Sequence, residues 1–284
     1  MRLLFASMVV FYTTLVTAQQ NVLPKALAPW ELELQQNYQA SAAGIVTPPE
    51  SKVRAMAEWE EAQALLVTWT SYTATLSGIV AAAQKEGKVI IVCNNVATVK
   101  QTLTANQIDT NLNISYLLAP FNSVWCRDYG ANTVYKNGVD SMDLVDWIYN
   151  RPRYRDDTVA TSLATLLNVP LYTTTVAPYD LVNTGGNYMS DGSGTAFASK
   201  LVLEENGPKN TFGKSKHNEA GVDSIMRLFM GIDRYIKMDI LPNDGIHHID
   251  MHMKLLNEST LMVGQYPKGQ PDEPQIEANL QYVL

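Results

Sequence analysis

Cysteine is almost missing from this 284-residue sequence, which has only Cys93 and Cys126. Two thiols cannot staple a small secreted scaffold, so the fold has to rest on a hydrophobic core. Positive charge is also scarce, with 21 Lys and Arg against 28 Asp and Glu and a net charge of -7. Wrapping nucleic acid needs clustered Lys and Arg, so that partner class is excluded and a small cation suits the chain better. Beyond the opening residues no stretch approaches the ~20 apolar residues of a membrane span. A phosphate loop ending in Gly-Lys-Ser/Thr is absent, and no strand and helix frame a dinucleotide fingerprint.

What is present is a globular composition, 46% hydrophobic and 17% charged, enough for one large domain or two small ones. Arg2, an apolar run over residues 3–16 and the small residues Val16-Thr17-Ala18 predict a signal peptide over residues 1–18 and a soluble, exported protein. Residues 19–52 hold Pro, Ala and Gln without clear periodicity and read as a lead-in segment. The ordered domain is expected over residues 53–284.

Within that domain a pattern recurs. Ala64-Leu65-Leu66-Val67-Thr68-Trp69 reads as a buried strand, Leu76, Ile79, Val80 and Ala83 mark a helical face that stops at Gly87, and residues 88–92 return as a strand. The second copy is a strand at 130–135, a helix through Val159, Leu163, Leu166 and Leu167, and a strand at 170–174. The third has Leu201-Val202-Leu203 as its strand, a helix through Val222, Ile225, Met226 and Phe229, and a strand at 234–238. A fourth opens at residues 260–266 and starts a helix at Asp272-Glu273-Pro274 that ends on its own apolar face at Leu284. The reading is an α/β repeat architecture of stacked units, cut short at its C-terminus.

Chemistry concentrates in four segments. Gly245-Ile246-His247-His248-Ile249-Asp250-Met251-His252 holds three of the four histidines. As a strand it would place His248, Asp250 and His252 on one face, a proton-transfer group beside a carboxylate. The alternatives are a water-facing structural strand or a zinc site on those three residues. Trp125-Cys126-Arg127-Asp128-Tyr129-Gly130, with strand-like alternation, would point Cys126 and Asp128 to one side. A carboxylate next to an aromatic ring suits a planar cation, although a local Arg and Asp pair at a strand entry also fits. The glycine-rich stretch from Gly185-Gly186-Asn187 to Asp191-Gly192 lets the backbone approach a ligand or simply turn a hairpin. Arg151 and Arg153 form a candidate fork for a substrate carboxylate, or pair with Asp156 and Asp157 in an exposed loop.

Taken in order, and preceded by Met56-Ala57-Glu58-Trp59-Glu60, these segments resemble the Porphyromonas-type peptidylarginine deiminases and the related agmatine deiminases of the pentein superfamily. The resemblance runs from about residue 53 to the end of the chain. It implies a five-bladed α/β propeller of pseudo-repeats around a central site, incomplete here because the last blade is missing. It also implies hydrolytic deimination of a guanidino group: peptidylarginine or arginine to citrulline and ammonia, or agmatine in putrescine biosynthesis. By this resemblance Asp128 and Asp250 grip the guanidinium, His248 is general acid and base, Trp125 packs on the substrate stem and Asp191 adds a substrate contact. Arg151 and Arg153 match the positions that hold the carboxylate of a C-terminal arginine. A thiolate attacks the guanidinium carbon, His248 protonates the departing ammonia, and water hydrolyses the thiouronium. No metal or organic cofactor is required, and the partner is a small guanidino substrate or an arginine-containing peptide.

The nucleophile is where the sequence departs from the family. That family's catalytic cysteine lies in a glycine-rich C-terminal segment with no counterpart here. Cys93 ends an apolar strand and reads as a small buried hydrophobe. Cys126 stands near Asp128, which would raise its pKa. The chain as it stands is expected to bind weakly or misfold and not to turn over. A catalytically dead guanidinium-binding module is the rival reading.

Overall fold

The computed structural model describes residues 23–35, 37–41, 43–209, 212 and 214–284. The signal peptide expected over residues 1–18 lies outside the described residues. Strand β1 (Arg54–Ala55) leads into the body of the fold. Val89-Ile90-Ile91-Val92 offers no polar face, and it forms the centre of a parallel sheet covered on both sides. That sheet runs β2 (Ala64–Thr68), β3 (Lys88–Cys93) and β4 (Ile114–Leu118). Parallel neighbours need long crossovers, supplied by helices Thr73–Glu86 and Val96–Ala105. Asn95 caps the second of these by accepting from the Thr98 N–H at 3.1 Å.

A second sheet has the order β1, β5 (Asn132–Lys136), β6 (Ser141–Tyr149), β7 (Leu171–Thr174), with β8 (Val182–Asn183) alongside β6. Helix Val159–Leu167 packs on it and stops where Asn168 turns left-handed, φ 54°. The third sheet joins β9 (Met189–Ser190), β10 (Thr195–Ser199) and β11 (Arg234–Met238). Its helix Glu219–Met230 ends at Gly231, φ 68°, where a Cβ would also collide with the Val53 carbonyl. Phe229, Met226 and Met230 from this helix meet Trp147 and Leu181 in a shared core. A hairpin of β12 (Met253–Asn257) and β13 (Thr260–Val263), then helix Glu273–Val283, complete the described chain.

The result is a mixed α/β fold of four small sheets with flanking helices. Among the described residues there is no fifth sheet, so the expected five-bladed propeller exceeds what is seen. One other expectation is corrected. Leu201-Val202-Leu203 opens helix Leu201–Asn206, and the strand is the preceding Thr195–Ser199. Asn206 explains the docking: its side chain binds both the N–H and the carbonyl of Val182, each at 2.8 Å. The lead-in is also built into the body, since Ile45 bridges to Tyr172 and the Ser41 N–H donates to Asp157 at 2.7 Å. Among the described residues no helix is long and apolar enough to cross a membrane.

Candidate functional site

Three short turns build the site. Cys126–Tyr129 is a single helical turn rather than a strand, so Cys126 and Asp128 point to different neighbours. The Tyr129 hydroxyl holds this turn to β2, 2.6 Å from Thr68 Oγ1, while donating to the Ser123 carbonyl at 2.9 Å. The second turn, Gly185–Asn187, lies against the first so closely that a Cβ at Gly185 would land on the Arg127 carbonyl. Arg127 reinforces the contact, donating to Gly185 O at 3.0 Å, Tyr188 O at 2.9 Å and Glu58 Oε1 at 3.0 Å. Glu58 also pairs with Lys254.

The third turn is Ile249–Met251, where a strand was expected. His247 has a φ of 57°, and that reversal breaks the two-residue alternation. Asn187 fixes the turn in place: its Oδ1 accepts from Ile249 N at 3.2 Å and from Ser199 N at 2.8 Å. His248 precedes the turn, Asp250 sits within it, and both lie close to Asp128.

His248 Nδ1 lies 3.4 Å from Asp128 Oδ1, with 1% and 2% of the two side chains exposed. At their centre is Gly186. A Cβ there would stand 2.5 Å from Asp128 Oδ1, 2.5 Å from His248 Nδ1 and 3.2 Å from Asp250 Oδ2. Gly186 thus packs directly against all three groups, and any side chain there would displace them. Burial opposes charge on Asp128, yet His248, with Lys25 and Arg151, holds its carboxyl below the usual carboxylate range. Burial, with Asp128 close by, pushes the Asp250 carboxyl up against the pull of Lys25, His248 and Arg127. Asp128 Oδ1, Asp250 Oδ1 and both ring nitrogens of His248 have no hydrogen-bond partner among the described residues. Two carboxylates and an imidazole grouped in this way can grip a planar cation rich in N–H groups and exchange a proton with it.

Residues from the lead-in reach these groups. Lys25 Nζ is 3.8 Å from Asp250 Oδ1. The Trp125 indole N–H donates to Leu23 O at 3.0 Å, so the same segment also touches Trp125. Arg151 and Arg153 are buried and make no hydrogen bond to Asp156 or Asp157 among the described residues, although Arg153 lies near enough to Asp156 to favour its charge against burial. Arg151 donates to Lys25 O at 3.1 Å and Asn150 O at 2.9 Å. Arg153 grips Glu31 through Nε at 2.7 Å and Nη2 at 3.0 Å. Of the expected fork for a substrate carboxylate, Arg153 here holds an internal carboxylate, Glu31, while Arg151 holds main-chain carbonyls.

Three further residues stand apart. Asp191 is not brought into the group, because its Oδ1 accepts from Ser193 N and Thr195 N at 2.7 and 2.9 Å and closes the turn before β10. The strand face that would have joined His252 to His248 and Asp250 does not form. Burial pushes the His252 imidazole down, opposed by Asp244 and Asp272. Among the described residues no cluster of three metal-ligating side chains occurs. Cys126 Sγ contacts Leu66 O at 3.5 Å and lines an apolar cavity of about 310 Å³ with Ile90, Leu144 and Leu163. Burial first, and Asp128 to a lesser degree, pushes its thiol up.

Sequence reasoning missed Glu58, Arg127, Gly186 and Asn187 as parts of the site. The signal for Gly186 and Asn187 was the glycine pair followed by an amide, which serves a close approach as well as a hairpin. Lys25 and Glu31 carried no local signal.

The family model described as Porphyromonas-type peptidyl-arginine deiminase matches residues 54–283. A Legionella pneumophila (strain Paris) protein, provisionally named an agmatine deiminase, is 30% identical over 145 residues, 49% of this chain and 39% of that protein. The chain therefore aligns with well under two thirds of that relative's length. C. jejuni agmatine deiminase superimposes with a TM-score of 0.66 at 18% identity, covering 81% of this chain and 69% of that one. A cysteine-to-serine variant of the C. jejuni enzyme with substrate bound gives 0.66 at 16% identity, covering 81% and 70%. The agmatine deiminase of Enterococcus faecalis gives 0.66 at 18% identity, covering 87% and 69%. At these identities the structural likeness speaks to the fold.

Proposed function

The chain belongs to the Porphyromonas-type peptidyl-arginine deiminase family, and from that premise we propose that Asp128, Asp250 and His248 form a guanidinium-binding, deimination-type site. The observation that carries the reading is the convergence of two carboxylates and a buried imidazole beside Gly186. Asp128 is charged at neutral pH and supplies the first acceptor. Asp250 costs energy to ionise in this setting, and a bound cation offsets that cost, so the ligand completes the site. His248 is placed to protonate departing ammonia and then to activate water. Trp125 covers the stem of the ligand.

Attack on the guanidinium carbon needs a thiolate, and neither cysteine of this sequence is positioned for it. Cys93 is buried in the core of the first sheet and Cys126 faces away from the site. The reading for these 284 residues is therefore binding without turnover, within a propeller-like arrangement of units around the site. Export by residues 1–18 belongs to the same proposal, and N-terminal sequencing of the secreted protein should return Gln19.

The ligand class is a small guanidino compound or an arginine side chain. Glu31 engages Nε and Nη2 of Arg153, which supports testing agmatine, a ligand without a carboxylate, beside arginine. Calorimetry with agmatine, arginine and an arginine-containing peptide tests this, with ammonia and ureido product assayed in parallel. No binding by any of the three at about 1 mM would sink the proposal. Steady ammonia release would overturn the absence of turnover.

A further inference from the structure

Residues 23–31 lie across the site and engage it with polar groups. Lys25 directs its ammonium to the carboxylate side, 3.8 Å from Asp250 Oδ1 and 3.6 Å from Met251 Sδ. Successive main-chain carbonyls of the segment are taken up in turn: Leu23 by Trp125, Pro24 and Ala26 by Arg153 at 2.7 and 3.3 Å, and Lys25 by Arg151. At the far end the Glu31 carboxylate locks onto Arg153, with neither side chain more than 1% exposed. The apolar residues flanking that anchor behave oppositely, since Trp30 and Leu32 are each 56% exposed. A segment laid down by hydrophobic packing would bury its Trp and Leu and leave its charges in water. This one presents a cation, a row of carbonyls and a carboxylate to the site.

We propose that residues 23–31 are an internal ligand of this chain's own site, with Lys25 occupying the place of the incoming cation until a guanidino ligand displaces it. The inference rests on the function proposed above. A lysine ammonium has no carbon for a nucleophile to attack, so it fills the site without reacting. It is also a loose fit: at 3.8 Å it is beyond hydrogen-bond distance, and a planar guanidinium has five N–H groups where ammonium has three. Displacement therefore begins at Lys25. Glu31 stays anchored and keeps Arg153 engaged.

The test compares agmatine binding by calorimetry in the full chain, in Lys25→Ala and in the exposed control Trp30→Ala. Lys25→Ala should tighten binding about tenfold or more, because the apparent affinity is lowered by the fraction of sites already filled. Trp30→Ala should leave it unchanged. Limited trypsin digestion gives an independent readout: Lys25-Ala26 is cleavable, and saturating agmatine should speed cut at that bond. If Lys25→Ala binds agmatine no more tightly than the full chain and agmatine does not speed cleavage, the inference falls while the proposed function stands. If none of the three proteins binds agmatine, both fall.

Discussion

Gly186→Ala is the single methyl group that the site should tolerate least. The new Cβ would stand 2.5 Å from both Asp128 Oδ1 and His248 Nδ1, whereas ordinary contact begins at 3.4 Å, so each group must retreat by about 0.9 Å. With 2% and 1% of these side chains exposed, there is no open solvent to retreat into. Overpacking of this kind costs about 1–3 kcal/mol of stability. A displacement of about 1 Å in an aligned site costs about 100-fold in function, equivalent to about 2.7 kcal/mol. Agmatine titrations in the Lys25→Ala background, with thermal unfolding and circular dichroism alongside, separate the two effects. The expected result is a folded protein with a lower Tm and binding about 100-fold weaker. A folded Gly186→Ala that binds within about threefold of its parent would refute the placement of the ligand. Gly185→Ala is a useful contrast, because its Cβ meets backbone rather than side chains and should damage the fold itself.

Four more outcomes can be checked. Asp250 has its carboxyl raised in the fold, so its charge opposes folding above the usual carboxylate range. Asp250→Asn should raise Tm at pH 7, with the gain shrinking toward pH 4, while agmatine binding is lost. Asp128 has the opposite sign: its lowered carboxyl contributes stability above about pH 3.9 that is lost as pH falls through its folded value. Asp128→Asn should therefore lower Tm at pH 7 and match the parent in strong acid, and an equal deficit at both pH values would contradict this. Glu31→Ala strands the buried Arg153 guanidinium and should cost about 3–5 kcal/mol in urea unfolding; an unchanged midpoint would show the pair to be dispensable. Tyr129→Phe removes the hydroxyl bridging Thr68 and Ser123 and should cost about 1–3 kcal/mol, read from the same unfolding curves.

The parts of the fold that were legible in sequence are those where hydrophobic pattern and burial coincide. Residues 89–92 have no polar face and form a central strand, and Val222, Ile225, Met226 and Phe229 mark the buried side of a helix. Leu201-Val202-Leu203 misled because three apolar residues fit a strand or a helix equally, while the true strand contains Thr195 and Ser199. The histidine cluster misled through its backbone: alternation assumes extended φ throughout, and the positive φ at His247 ended it. Asp128, His248 and Asp250, which the fold brings together, could be singled out in sequence because each carries its chemistry in its side chain. Gly186 contributes by having none, which no motif of side-chain types can express. Glu31 and Arg153 are 122 residues apart, so only the folded chain brings them together.

Glu31 has one more effect, and it acts through Lys25. A residue six positions from a fixed anchor is confined to a small volume, with an effective concentration on the order of millimolar at its own binding site. Diluting the protein leaves that concentration unchanged, so occupancy by Lys25 is the same in a crowded compartment and in a single molecule. A free ligand displaces it only when the product of its concentration and its affinity exceeds that of the tethered lysine. The length of chain between Lys25 and Glu31 thus sets a concentration threshold for entry, and inserting flexible residues there would lower it.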